Sequence, residues 1–184
     1  EENVKKCALI IGHSEKDPGA VNEKACITEF GFNRGLAKLI DKYVCPSAVS
    51  IELVYRDVLY SKLPEKVNRL NPDFIISLHC NAFNEAASGT EVLYYHKSSK
   101  GFEIAGILQN ELVQALHLKD RGIKGKSAED RGGYLLRYTD APCVIAEPFF
   151  IDNDNDLQIA IQNQFALLMA YINAIHQVVA KIQL

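Results

Sequence analysis

Three short apolar runs dominate the chain: 6–12 (KCALIIG), 74–79 (FIISLH) and 143–147 (CVIAE). Runs of this length bounded by turn residues read as strands buried on both faces. Such strands need helices on both sides of their sheet, and the segments between them supply helical periodicity. In 26–43, Ile27, Phe30, Leu36, Leu39, Ile40 and Tyr43 recur at helical spacing. A shorter helix is predicted around 59–70, closed by Asn71-Pro72, and amphipathic helices over 101–118 and 157–182. Residues 50–55 (SIELVY), 90–95 (TEVLYY) and 134–138 (YLLRY) are predicted as further strands, and the Gly- and charge-rich stretch 119–133 as a loop. The reading is a layered α/β fold: a mixed, mostly parallel sheet of about six strands, flanked by helices on both faces. With 184 residues and no repeat or linker, it predicts a single domain over 1–184.

Several function classes lose support. The net charge of −3 gives no basic field for nucleic acid or an anionic membrane. The apolar run 165–172 is far short of the roughly 20 residues of a bilayer span, and the opening EENVKK has no signal-peptide pattern. The five cysteines form no C-x-x-C pair, which leaves a Cys-rich zinc knuckle or thioredoxin-type site without a basis. No phosphate-binding glycine motif is present. Asp152-Asn153-Asp154-Asn155-Asp156 begins like a calcium loop, but Leu157 stands where the glycine is required and Asn163 where the bidentate Glu belongs. A helix N-cap explains that run better.

The polar residues at strand ends carry the chemistry. The first predicted strand runs into Gly12-His13, the third into His79, and the last ends at Glu147. Glu29 lies near the start of the first predicted helix. In layered α/β folds, ligand sites gather at strand ends. Two imidazoles and a carboxylate suit divalent zinc with one position left open, and a second carboxylate beside it can shuttle a proton. Glu147 interrupts an apolar strand, so a metal, a cation or a perturbed pKa is expected around it. An ion pair with Arg137 on the neighbouring predicted strand is the plainer alternative.

At these residues the sequence resembles the zinc-dependent N-acetylmuramoyl-L-alanine amidases, the family of cell-separation amidases and many phage endolysins. The resemblance is carried, in order, by Gly12-His13 with Asp17-Pro18-Gly19-Ala20, by Glu29-x-x-x-Asn33, by Ser77-Leu78-His79-Cys80-Asn81-Ala82, by Gly89-Thr90-Glu91-Val92, and by 146–153 (AEPFFIDN). Two places depart from the family pattern: Ser14-Glu15-Lys16 after the first histidine, where Gly-Gly is common, and Pro148 after the glutamate. The resemblance implies His13, Glu29 and His79 as ligands to one zinc per chain and Glu147 as the catalytic carboxylate. It implies hydrolysis of the amide between N-acetylmuramic acid and L-alanine in peptidoglycan, by a monomer acting at the cell wall. A zinc peptidase cutting within the stem peptide and a non-catalytic wall-binding module are the alternatives. Asn33, one helical turn from Glu29, is expected to orient the ligand or line the groove, and Asn81 to hold the loop after His79 or contact substrate. Arg137 completes the expected substrate contacts. Arg121, Lys124, Lys126 and Arg131 in the 119–133 stretch are candidates to receive stem-peptide carboxylates.

Overall fold

The computed structural model describes residues 4–184; of the EENVKK opening, the first three residues lie outside the described residues. Lys5–Ile11 forms β1. The short strands Val21–Asn22 (β2) and Ile27–Thr28 (β3) precede α1, Glu29–Tyr43. Val49–Tyr55 is β4, and a 3-10 turn at Tyr60–Lys62 leads into α2, Leu63–Asn68. Then come β5 (Phe74–Leu78), β6 (Thr90–Tyr95), α3 (Ser99–Leu116), β7 (Asp120–Lys126), α4 (Gly133–Tyr138) and β8 (Cys143–Glu147). Helices α5 (Asp154–Gln162) and α6 (Gln164–Lys181) close the chain.

The central sheet has six strands in the order β4-β1-β5-β8-β6-β7. Strands β4, β1, β5 and β8 pair in parallel, β6 runs antiparallel to β8, and β7 pairs parallel to β6. The carboxyl ends of β1, β5 and β8 therefore share one sheet edge with the start of β6. Alternate side chains divide the core. Leu9, Ile76 and Val144 face a large layer built with α1, α3, α5 and α6. Ala8, Ile10, Ile75 and Ile145 face a smaller layer built with α2 and α4. Each fully buried Leu or Ile contributes roughly 1.5–3 kcal/mol, so the larger layer carries most of the cohesion.

Three segments differ from the sequence expectation. Residues 120–126 form the edge strand β7 rather than a loop; its Arg121, Lys124 and Lys126 keep the edge charged, which discourages pairing with other chains. Residues 134–138 lie in α4 rather than in a strand. Both neighbours of β8 are already strands, β5 and β6, so no pairing edge is free for them. Leu135 and Leu136 are both buried, as adjacent residues of a strand on one covered face cannot be. The long terminal helix is broken at Asn163, whose backbone N–H and Nδ2 both donate to the Ile159 carbonyl at 2.9 Å and end α5.

The run 152–156 stitches loops together. Asn153 caps α5 by accepting from the N–H groups of Asn155 and Asp156. Asp152 accepts from Phe83 and Glu85 N–H. Asp156 is fully buried and accepts from Gly89 N–H (3.1 Å), Phe150 N–H (3.0 Å) and Ser88 Oγ (2.5 Å). This clamp fixes the loop after β8 to the start of β6. Asp156→Ala would leave three donors without their acceptor, and an unsatisfied buried group costs about 1–3 kcal/mol. Thermal unfolding of the variant should show a loss of roughly 3 kcal/mol or more; a change within 0.5 kcal/mol, the range usual for surface substitutions, would refute the clamp.

Candidate functional site

His13 follows β1 by one glycine and sits at φ 66°, in the left-handed region that turns its ring back over the sheet edge. Gly12 extends the β1–β5 ladder by donating to Leu78 O at 3.0 Å. A Cβ there would lie 2.5 Å from that oxygen and 2.6 Å from the His79 ring. Gly19, at φ 76°, is as constrained: a Cβ would stand 2.6 Å from both Glu29 Oε2 and the His13 ring. The two glycines let three chain segments close on one point.

That point is the carboxylate of Glu29, fully buried at the first residue of α1. Thr28 Oγ1 caps the helix by accepting from Gly31 N–H. Glu29 Oε1 accepts from Cys80 N–H (3.0 Å) and faces His79 Nδ1 at 2.9 Å. Its Oε2 accepts from Ala20 N–H (3.0 Å) and faces His13 Nε2 at 3.2 Å. Burial alone would raise the carboxyl pKa, but the bonds and charges of His13 and His79 outweigh it and hold Glu29 well below the usual carboxylate range. The two imidazoles lie edge to face with centroids 5.3 Å apart. Among the described residues, His13, Glu29 and His79 each offer one ligand atom within 4.8 Å of the others. Two nitrogens and a carboxylate oxygen are a donor set that zinc accepts, and His13 Nδ1 is buried without a hydrogen-bond partner. The residues present fit a divalent cation.

A cavity of about 450 Å³ opens beside them on the thin side of the sheet. His13, His79 and Glu147 share its wall with Arg56, Tyr60 and Arg131. Glu147, almost fully buried, faces Glu91 across the β8–β6 ladder. Glu91 is itself held by Asn81 Nδ2 (2.9 Å) and Arg121 Nε (2.8 Å). Burial, and after it the Glu91 charge, push the Glu147 carboxyl up to about 7, against the pull of Arg131.

Asn33, Asn81 and Arg137, the residues expected to contact substrate, stand outside the cavity wall. Asn33 is fully buried behind the site, its Nδ2 directed at Cys80 Sγ at 3.6 Å. It stands outside the cavity wall because the face of α1 that carries Glu29 is packed on the sheet. Asn81 holds the loop: its side chain binds Glu91 and Ala82 N–H, and its backbone pairs with Phe149 and Ile151. Arg137 lies on the exposed side of α4, 5.4 Å from the rings of Tyr95 and Tyr138. It therefore forms no pair with Glu147, whose actual strand neighbour is Glu91. Arg121 is committed to Glu91, whereas Arg131 reaches the cavity. Two residues went unassigned in the sequence reading. Glu91 in TEVLYY gave the same signal as Glu147, a carboxylate in an apolar strand. Ser77 in FIISL lines the cavity, and its buried Oγ has no partner.

The chain is similar to known proteins in sequence and in fold. The family model described as N-acetylmuramoyl-L-alanine amidase matches residues 7–177. The amidase LytC of Bacillus subtilis is 28% identical over 152 residues, which are 79% of this chain and 29% of LytC. The structure of an N-acetylmuramoyl-L-alanine amidase from Clostridium difficile 630 superposes with a TM-score of 0.85 at 21% identity, over 98% of this chain and 100% of that one. The catalytic domain of CD27L, an endolysin targeting Clostridia difficile, matches with a TM-score of 0.76 at 25% identity over 97% of each chain. The family match runs from within β1 to within α6 and takes in His13, Glu29, His79 and Glu147, so the chain belongs to the N-acetylmuramoyl-L-alanine amidase family.

Proposed function

We propose that residues 1–184 form one catalytic domain, a zinc-dependent N-acetylmuramoyl-L-alanine amidase acting at the cell wall. Its reaction is hydrolysis of the amide joining the lactyl group of N-acetylmuramic acid to the first L-alanine of the stem peptide. The observation that carries this reading is the convergence of His13, Glu29 and His79, with both imidazoles sharing a cavity wall with Glu147. Membership of the family supports the same chemistry. No helix among the described residues is long and apolar enough to cross a membrane.

His13, Glu29 and His79 would hold the zinc. Bound there, zinc supplies Lewis-acid polarisation of the scissile carbonyl and a water nucleophile that is potent at neutral pH. The buried Glu29 brings a full negative charge to the ligand set, fixed by Ala20 and Cys80 N–H. Glu147 accepts a proton from the attacking water at a carboxylate oxygen. It then gives that proton to the departing nitrogen, so that the C–N bond breaks to a lactyl carboxylate and a free alanine amine. Burial and Glu91 push this carboxyl up from the ordinary range, toward that of a group that both takes and gives a proton near neutral pH. Arg131 lowers the Glu147 pKa by its charge, and so opposes the effect of Glu91 on the other side.

Glu147→Gln should lower kcat/KM on purified cell walls by about 10²–10⁴-fold, the range for a lost general acid–base group, with one zinc per chain retained by metal analysis. A variant with full activity would remove Glu147 from the mechanism. Chelation of the unmodified protein should abolish wall clearing, and added zinc should restore it. Mass analysis of the products should show stem peptides with a free L-alanine amine and an intact glycan; cuts inside the stem would favour a peptidase instead.

The same side chain sets a pH signature in the metal-free protein. Its folded pKa of about 7 exceeds its ordinary value of 4.5, so folding is favoured by protonation. That contribution is fully present below pH 4.5 and is lost as pH rises through about 7. Glutamine keeps the shape without the charge. With chelator present, Glu147→Gln should match the parent near pH 4.5 and exceed it by roughly 3–4 kcal/mol above pH 8, at about 1.4 kcal/mol per pKa unit. Equal stability at both pH values would show that Glu147 is not charged at a cost in the folded protein.

A further inference from the structure

Three tyrosines continue the cavity outward along the thin side of the sheet. Tyr60 and Tyr134 belong to the cavity wall, and Tyr134 also belongs, with Tyr138, to the neighbouring groove between α2 and α4. Ring centroids step from Tyr60 to Tyr134 by 6.1 Å and from Tyr134 to Tyr138 by 4.6 Å, each pair tilted by nearly 50°. All three remain more than a third exposed. Their frame is fixed: Tyr134 Oη donates to Ser61 O, and Asn68 ties α2 to α4 through Tyr138 O and Asp140 N–H. The rim is polar and carries both signs of charge, from Lys62, Glu65 and Arg69. Exposed aromatic rings held rigid beside hydrogen-bonding groups present an apolar face with polar edges. That matches the chemistry of a pyranose, whose axial C–H groups form an apolar face and whose hydroxyl and acetamido groups project from the edge.

A second groove shares Arg56 with the cavity and holds Glu15, Lys16, Arg34 and Asp57 beside apolar side chains. The scissile amide joins a neutral sugar polymer to a peptide bearing carboxylates, amines and methyl groups, and this groove offers partners for both kinds of group.

We infer that Tyr60, Tyr134 and Tyr138 form a stacking shelf for the glycan arm of peptidoglycan, so that the sugar chain enters over α2 and α4 and the peptide leaves past Arg56. This rests on the amidase reading above. It extends that reading by naming the side of the cavity that the polymer occupies and the residues that hold it. Tyr138 lies beyond the cavity wall, so it acts through polymer binding and not on the reacting atoms.

The test is direct binding by the zinc-loaded full chain. Peptide-free glycan oligomers of alternating N-acetylglucosamine and N-acetylmuramic acid are titrated while tyrosine emission is followed; the chain has no tryptophan to mask it. Tyr138→Ala should weaken glycan binding by roughly tenfold, the size of one aromatic contact with its buried area. Tyr138→Phe should stay within about twofold, because the ring remains. Binding of free stem peptide should be unchanged in both. Ring-proton NMR of the unmodified protein, which needs no variant, should shift the signals of Tyr60, Tyr134 and Tyr138 on adding glycan. Glycan affinity unmoved by Tyr138→Ala, tyrosine signals unmoved by glycan, or loss confined to the stem peptide would each overturn the shelf. Glycan binding that shifts the tyrosines in a protein that cleaves no amide would leave the shelf standing and remove the amidase reading. Amide cleavage with silent tyrosines would do the reverse.

Discussion

The Glu29 carboxylate is the interaction on which the site's geometry depends. A fully buried carboxylate is tolerated only when its oxygens are satisfied. Here each oxygen receives one backbone N–H and faces one imidazole. Those groups come from the loop after β1 and from the segment just after β5, while the carboxylate itself stands at the start of α1. His79 and Glu29 are 50 residues apart, so the carboxylate is satisfied only when β1 and β5 are paired in register and α1 has docked. The site and the closed fold are thus one event. The same dependence explains Gly12 and Gly19. A side chain at either position would occupy the space through which the carboxylate and the imidazoles approach.

The unequal layers of the sheet decide where substrate can reach. On the thick side, α1, α3 and α6 cover the strands along their length. On the thin side, α2 and α4 span six residues each and leave the carboxyl ends of the strands bare. Strand alternation then sorts the polar residues. Ser77 and Glu147 share the phase of Ile75 and Ile145, which face the thin layer. The cavity forms there because the helices are too short to fill it.

This division also explains what could be read from the sequence. The three apolar strands and their terminal residues His13, His79 and Glu147 were legible, because burial on both faces leaves a continuous apolar run and a polar residue at its end stands out. The edge strand β7 was not: with Arg121, Lys124 and Lys126 it carries the charge that an exposed edge demands, and that charge reads as a loop. YLLRY was misread for the opposite reason. Five apolar-rich residues have no decisive period, and only the occupied flanks of β8 exclude them from the sheet. Arg137 went with that misreading, since its expected nearness to Glu147 assumed a strand. For Asn33, the helical spacing from Glu29 was legible, but the burial of that whole face of α1 was not. Family resemblance assigned roles to four residues that spacing alone left open, whereas no residue of the tyrosine run stood out, because exposed aromatics at 60, 134 and 138 meet only through the packing of α2 on α4.

The pairing of Glu91 with Glu147 shows how the fold tunes a residue it does not touch chemically. Two carboxylates opposite each other on adjacent strands repel. Both oxygens of Glu91 are already engaged, one by Asn81 and one by Arg121. Burial, and after it the Glu91 charge, raise the proton affinity of Glu147, which Arg131 opposes by its charge. Asn81 takes part in this through the loop that begins at His79, and its backbone is bonded to Phe149 and Ile151 just beyond Glu147. The loop that presents one imidazole thus also fixes the segment after the carboxylate and the neighbour that sets its proton affinity. A cation beside His79 would draw the Glu147 pKa down, against the push of burial and Glu91.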